Sequence, residues 1–180
     1  YLRTKDEEVF PTVKAYARYL AQGASGVGTW SHGMAAVKVN GLYGPACAYG
    51  AMNQISLVIG TSLLLSQKCG VKDLHVDKVV NLCLDFYKYY VDKGSIPYGD
   101  HGARVDIFDS NGKNSIAAVF FDIAGHKKEA DFFTRMALSS YRARESGHSG
   151  YYFATQWGTL AAARGGTEAT QAFVKGRRFF

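Results

Sequence analysis

The feature that most constrains this chain is an alternation of two kinds of helical segment. Residues 46–67 read ACAYGAMNQISLVIGTSLLLSQ, a stretch without one charged side chain. Residues 115–124 (SIAAVFFDIA) and 151–163 (YYFATQWGTLAAA) are nearly as dry. A helix that is apolar or small all round is buried on most sides. Between and around these lie segments 6–21, 74–93, 128–145 and 167–178, each with an apolar stripe at spacings of three and four. In 74–93, Val76, Val79, Val80, Cys83, Tyr87 and Tyr90 share one face, with Asp77, Lys78, Asp85 and Lys88 elsewhere. In 128–145, Ala130, Phe133, Ala137 and Tyr141 align. Strand signals are nearly absent: Asn40-Gly41 and Asn111-Gly112 each precede a helical pattern rather than a second alternating run.

Amphipathic and dry segments alternate without exception, which is the pattern of a two-layer, all-α assembly. The expected fold is an α/α toroid, a barrel of inner and outer helices, here incomplete at about seven helices in a single domain spanning 1–180. Each dry segment passes into an amphipathic one through a short glycine turn, at Gly70, Gly125 and Gly165-Gly166. Asp73 and Thr167 are expected to cap the helices that follow. The return connections are longer and more polar: GVGTWSHGMAAVKVNGLYGP, GSIPYGDHGARVDIFDSNGKN and SGHSG, carrying His32, His101 and His148. If the helix pairs wrap one axis, these loops share one end of the barrel, and Trp30, Tyr98, His101 and His148 gather on one rim.

That rim supplies the candidate site. In Tyr98-Gly99-Asp100-His101 the aspartate can orient the imidazole, and histidine titrates near neutral pH. With His148 these two are the candidate acid–base groups, set against a plain turn held by Asp100. Asp109, Asn111, Lys113 and Asn114 precede or open a dry helix, where an N-terminus favours anions; simple capping accounts for one of them. Trp30 and His32 form the first loop's contribution, with Tyr98 as ligand contact in the second. The string GKNS resembles a phosphate loop only superficially, since Ile107 stands where its first glycine belongs. Histidines and aspartates at one mouth can bind a divalent ion, but no HxH or HxxxH spacing supports one, so metal and cofactor are left unknown. Asn53-Gln54 and Gln156-Trp157 fall inside dry helices, as bonded core amides or as cavity lining. His75 and His126 open outer helices and are expected to be solvated.

Charge and cysteine content narrow the partners. The net charge is +6, which favours anionic partners. The basic residues are scattered except at Lys175-Gly176-Arg177-Arg178, and no nucleic-acid motif is present. Cys47, Cys69 and Cys83 make an odd count without CxxC spacing; Cys47 and Cys83 sit on apolar faces, and the disulfide state is left open. No apolar run is long enough to span a bilayer. The start at Tyr1-Leu2-Arg3 and the apolar close at Phe179-Phe180 read as a piece of a larger protein, with the remainder or a partner subunit completing the helix layers.

The strings GTW, YGPACAYGAMNQ, KGSIPYGDHG, DSNGKNSIAAVFFDIAG and SGHSGYYFATQW carry a resemblance. Together they resemble an uncharacterised bacterial domain family placed with the terpenoid-cyclase-like and protein-prenyltransferase-like α/α toroids, over roughly residues 25 to 175. The resemblance implies the toroid fold within a larger, often exported protein, and no particular reaction. The protonating DxDD motif of terpene cyclases is missing, the nearest string being DIFD at Asp106 to Asp109. No cysteine falls in a polar loop where the prenyltransferase zinc set would need one. The sequence therefore leads to a domain binding a polar ligand, anionic or carbohydrate-like, with hydrolase or lyase chemistry if it is an enzyme. The alternatives are a non-catalytic scaffold or interaction module in a larger assembly and, by fold analogy alone, an isoprenoid enzyme.

Overall fold

The computed structural model describes residues 1–35, 50–106, 112–140 and 152–176. Among these residues there are seven helices: α1 (Phe10–Gln22), α2 (Asn53–Lys68), α3 (Leu74–Lys88), α4 (Lys113–Ala124), α5 (Lys127–Ser139), α6 (Tyr152–Arg164) and α7 (Thr167–Gly176). The only extended pairing among them is one antiparallel bridge, Ser95 with Arg104. The all-helical class is as the sequence implies. The chain divides into two compact units, Tyr1–Phe86 and Tyr87–Phe180.

In the first unit α1 packs on α2. Pro11 in its first turn starts α1 at Phe10, four residues later than the periodicity predicts. α2, uncharged but for Lys68 at its end, buries nine of its sixteen residues, several of them polar. It does so without loss because its hydroxyls bond back along the helix: Thr61 Oγ1 to the Leu57 carbonyl at 2.7 Å and Ser66 Oγ to the Leu63 carbonyl at 2.7 Å. Asp73 caps α3 as expected, its Oδ1 accepting from the amides of His75 and Val76 at 3.0 and 3.2 Å. Arg18 of α1 donates to Asp73 Oδ2 at 2.6 Å and ties the two helices. The hydrogen bond from Arg18, with the Val76 amide next, holds the Asp73 carboxyl below the usual carboxylate range.

In the second unit α4 packs on α5 and α6, and α6 on α7. Tyr87, Phe120, Phe121 and Phe133 form its buried aromatic core, Phe121 and Phe133 stacked at 5.6 Å. The face assigned to 74–93 is buried at all six positions, as are Ala130, Phe133 and Ala137; Tyr141 lies outside the described residues. Arg164 closes the far end: Nε to Asp122 at 2.9 Å, Nη1 to Asp131 at 2.7 Å and to Thr134 Oγ1 at 3.2 Å.

Two expectations differ from the structure. α6 is not dry all round: Tyr152 is 67 % and Leu160 48 % exposed, Gln156 is exposed, and Trp157 is half-buried. Ala154, Gly158, Ala161 and Ala162 make one narrow packing face, and Phe173 of α7 sits where a Cβ on Gly158 would stand. A helix whose one charge, Arg164, stands at its end carries no mark along its length of which side is covered, so its composition overstates its burial. Thr167 is the first residue of α7 rather than its cap; the Thr170 amide bonds the Gly166 carbonyl at 3.0 Å, which puts Gly166 in the capping place.

Candidate functional site

The site is built around the start of α4. Gly112, with φ +67°, turns the chain into the helix, and a Cβ there would lie 2.8 Å from the Phe153 carbonyl oxygen. Lys113, Asn114 and Ser115 then form a first turn that is buried throughout, with Lys113 only 1 % exposed.

The polar stretch after α3 folds over this turn. The Ser95 amide and carbonyl pair with Arg104 at 2.8 and 2.9 Å. The next amide, Ile96, is accepted by Asn114 Oδ1 at 3.0 Å. Successive amides of an extended segment point opposite ways. One edge of 95–96 is therefore spent on Arg104 and the other on α4. Tyr90 Oη donates to the His101 carbonyl at 3.0 Å and holds the loop's outer limb. Arg104 also pairs with Asp106, Nε to Oδ1 at 3.0 Å, which keeps that carboxyl below its ordinary range. Inside the loop the Ser95 side chain is fully buried, and its hydroxyl has no hydrogen-bond partner.

The first unit repeats the arrangement in neutral form. Its return loop runs against the start of α2: the Met52 amide donates to the Trp30 carbonyl at 2.8 Å, and the Trp30 amide donates to Ser56 Oγ at 2.8 Å. α2 opens with two buried amide side chains, Asn53 and Gln54. The residue after Trp30 is Ser31, 3 % exposed, and its hydroxyl too is without a partner. The buried unpartnered side-chain atoms of the described residues are these two serine hydroxyls, each on a loop that packs on the start of a dry helix.

The residues singled out from the sequence distribute as follows. Lys113 and Asn114 occupy the first turn of α4, as expected, with Tyr98 half-buried in the loop above. Asp100 and His101 share that loop and are exposed, and no ion pair joins them to one another. Trp30 and His32 belong to the first unit. Trp30 is buried there, its indole N–H donating to the Leu20 carbonyl at 2.8 Å, while His32 is exposed. Asp109, Asn111 and His148 lie outside the described residues. His75 and His126 are half-buried rather than solvated, His126 lying against the Phe121 ring. Ser31, Ser95 and Ser115 are not evident from the sequence. The one cue for Ser95 is its neighbour pair Ile96-Pro97, an apolar dip in a polar run. Among the described residues no three His, Cys, Asp or Glu side chains group as a metal site. Nor is any of their helices long and apolar enough to cross a membrane. Cys69 and Cys83 are free thiols, and burial pushes the Cys83 thiol far up; Cys47 lies outside the described residues.

All of the chain, residues 1–180, matches the family described as "Domain of unknown function (DUF6288)", and the chain belongs to that family. Neither a curated protein nor a solved structure matches it.

Proposed function

We propose that this member of the family is a polar-ligand-binding domain of α/α-toroid type, with its ligand held by the first turn of α4 and the loop over it. The observation that carries the reading is the Ser95 hydroxyl, enclosed on the segment that Asn114 holds and unpartnered. A buried hydroxyl without a hydrogen bond costs about 1–3 kcal/mol, and native structures keep few of them. A molecule that completes it accounts for one that persists on a segment bonded to the first turn of α4.

The toroid part of the reading rests on the alternation of burial. α2 and α4 are buried on most sides and α1, α5 and α7 on one, while α6 departs from the alternation with its single narrow packing face. The terpenoid-cyclase-like resemblance of the sequence points the same way. Binding is favoured over acid–base catalysis because Asp100 and His101 are exposed and not joined. They remain, with His148, the groups to test if the ligand is turned over by hydrolysis or elimination. The scaffold alternative has the α1 face behind it, where Tyr16 and Tyr19 are exposed beside shallow apolar grooves.

The test is amide chemical-shift mapping of the labelled chain against a panel of hexoses, dicarboxylates and phosphate. The expected result is a ligand whose saturable shifts fall on residues 95–104 and 112–116. Shifts confined to other residues, or no saturable shift with any compound, reject the site.

A further inference from the structure

We infer that the corner between α2 and α3 is a docking surface for an anionic lipid bilayer, with Leu74 entering the headgroup layer among lysines. Single exposed apolar side chains are ordinary on a protein surface. Leu74 differs in degree and in company. It is the first residue of α3 and 90 % exposed, the most exposed large apolar side chain among the described residues. The fold gathers around it four lysines that the sequence scatters. Lys72 stands two residues before Leu74, and Lys78 follows at i+4 on the same exposed face of α3. Lys68 ends α2, and Gln67 beside it donates to Asp77 Oδ1 at 2.6 Å, which ties the last turn of α2 to the first turn of α3. Lys14 lies one turn before Arg18 on the same side of α1, and Arg18 reaches Asp73, the residue before Leu74.

Charge decides the sign of the partner. No carboxylate among the described residues pairs with any of the four lysines. The two acids of the corner are engaged within it, Asp73 by Arg18 and the α3 amides, Asp77 by Gln67. The other acids of this unit stand off. Asp85 is about 16 Å along α3 from Leu74, and the run Asp6–Glu8 ends before α1 begins at Phe10, about 12 Å of helix from Arg18. Both separations exceed the Debye length of about 8 Å at physiological salt. Exposure decides the form of the partner. Leu74 projects beyond its neighbours, so whatever buries it must close around it. A bilayer interface does so without a matched pocket: its acyl boundary takes up apolar side chains while anionic headgroups attract lysines.

The experiment is cosedimentation of the full chain with vesicles of phosphatidylcholine alone, or of equal parts phosphatidylcholine and phosphatidylglycerol, at low and high salt. Three variants accompany the natural chain. Leu74→Ala removes the apolar anchor. Lys72→Gln with Lys78→Gln removes two charges of the corner, and Lys127→Gln with Lys175→Gln removes two from the second unit. All five positions are exposed, so the variants are expected to fold. The natural chain is expected to bind the mixed vesicles, to leave the neutral ones in solution, and to be released by salt. The corner pair should bind about tenfold or more weakly, since each lysine near the surface contributes about fivefold. The distant pair should bind within about threefold of the natural chain. Leu74→Ala should bind about tenfold more weakly. Binding that Leu74→Ala leaves unchanged overturns the inference and points to a soluble acidic partner held by charge alone. Equal weakening by the two double variants overturns it as an effect of net charge. Binding to neither vesicle, or equally to both, overturns it as well.

Discussion

Three glycines of the first unit offer a graded test of how tightly its loop packs on α3. Gly26 has no positive φ, and a Cβ there would meet nothing within 4 Å. Gly70 has φ +97° and equally open surroundings. Gly28 has φ +75°, and a Cβ would stand 2.5 Å from the Cys83 backbone nitrogen and 2.8 Å from Leu82 Cβ. Alanine at Gly26 only reduces the freedom of the unfolded chain, so it is expected to be neutral or to stabilise by up to about 1 kcal/mol. Alanine at Gly70 meets left-handed backbone strain, about 1–2 kcal/mol. Alanine at Gly28 meets the same strain plus overpacking against helix backbone, which cannot rotate away as a side chain can. The steric part adds about 1–3 kcal/mol, for a total of about 2–5 kcal/mol. The assay is denaturant unfolding followed by Trp30 fluorescence, in a Trp157→Phe background so that the signal comes from the unit that contains all three glycines. The ordering Gly28→Ala worst, Gly70→Ala intermediate and Gly26→Ala least is required. A Gly28→Ala cost no larger than that of Gly70→Ala would refute the close approach of this loop to α3.

Arg164→Met is expected to cost about 1–2 kcal/mol in the second unit: the guanidinium bonds Asp122, Asp131 and Thr134, but both carboxylates are half exposed and screened. The same substitution measured in high salt should cost less, which equilibrium unfolding across salt concentrations checks. Asp73→Ala should cost about 1 kcal/mol at neutral pH through the lost α3 cap. Because its folded carboxyl titrates below the ordinary 3.8, that contribution is present above this value and is lost as pH falls through the depressed one. Unfolding of both proteins from pH 7 to pH 2 should show the difference shrinking only at the acid end; a constant difference refutes the role of the charge. A thiol reagent on the native chain should modify Cys69 and spare Cys83 until denaturant is added, as peptide mapping would show.

Much of this architecture is written locally. Helix period, glycine turns and the aspartate before α3 depend on neighbours a few residues apart, and so seven helices, the buried face of α3 and the Asp73 cap follow from the chain alone. The first turn of α4 was legible too, because a polar run entering a dry helix marks a buried helix start. Other features depend on contacts distant along the chain. Which side of α6 is covered was set by Phe173 approaching Gly158, a fact that a helix uncharged up to its last residue does not encode. Trp30 reads as a rim aromatic until Leu20 and Ser56 are seen to hold it inside. Ser31 and Ser95 are the clearest case: a serine in a polar loop looks solvated, and only the loop's pairing with a helix start encloses its hydroxyl without a partner. Periodicity reports how often a side chain turns toward an interior, whereas burial of one hydroxyl depends on which distant backbone arrives beside it.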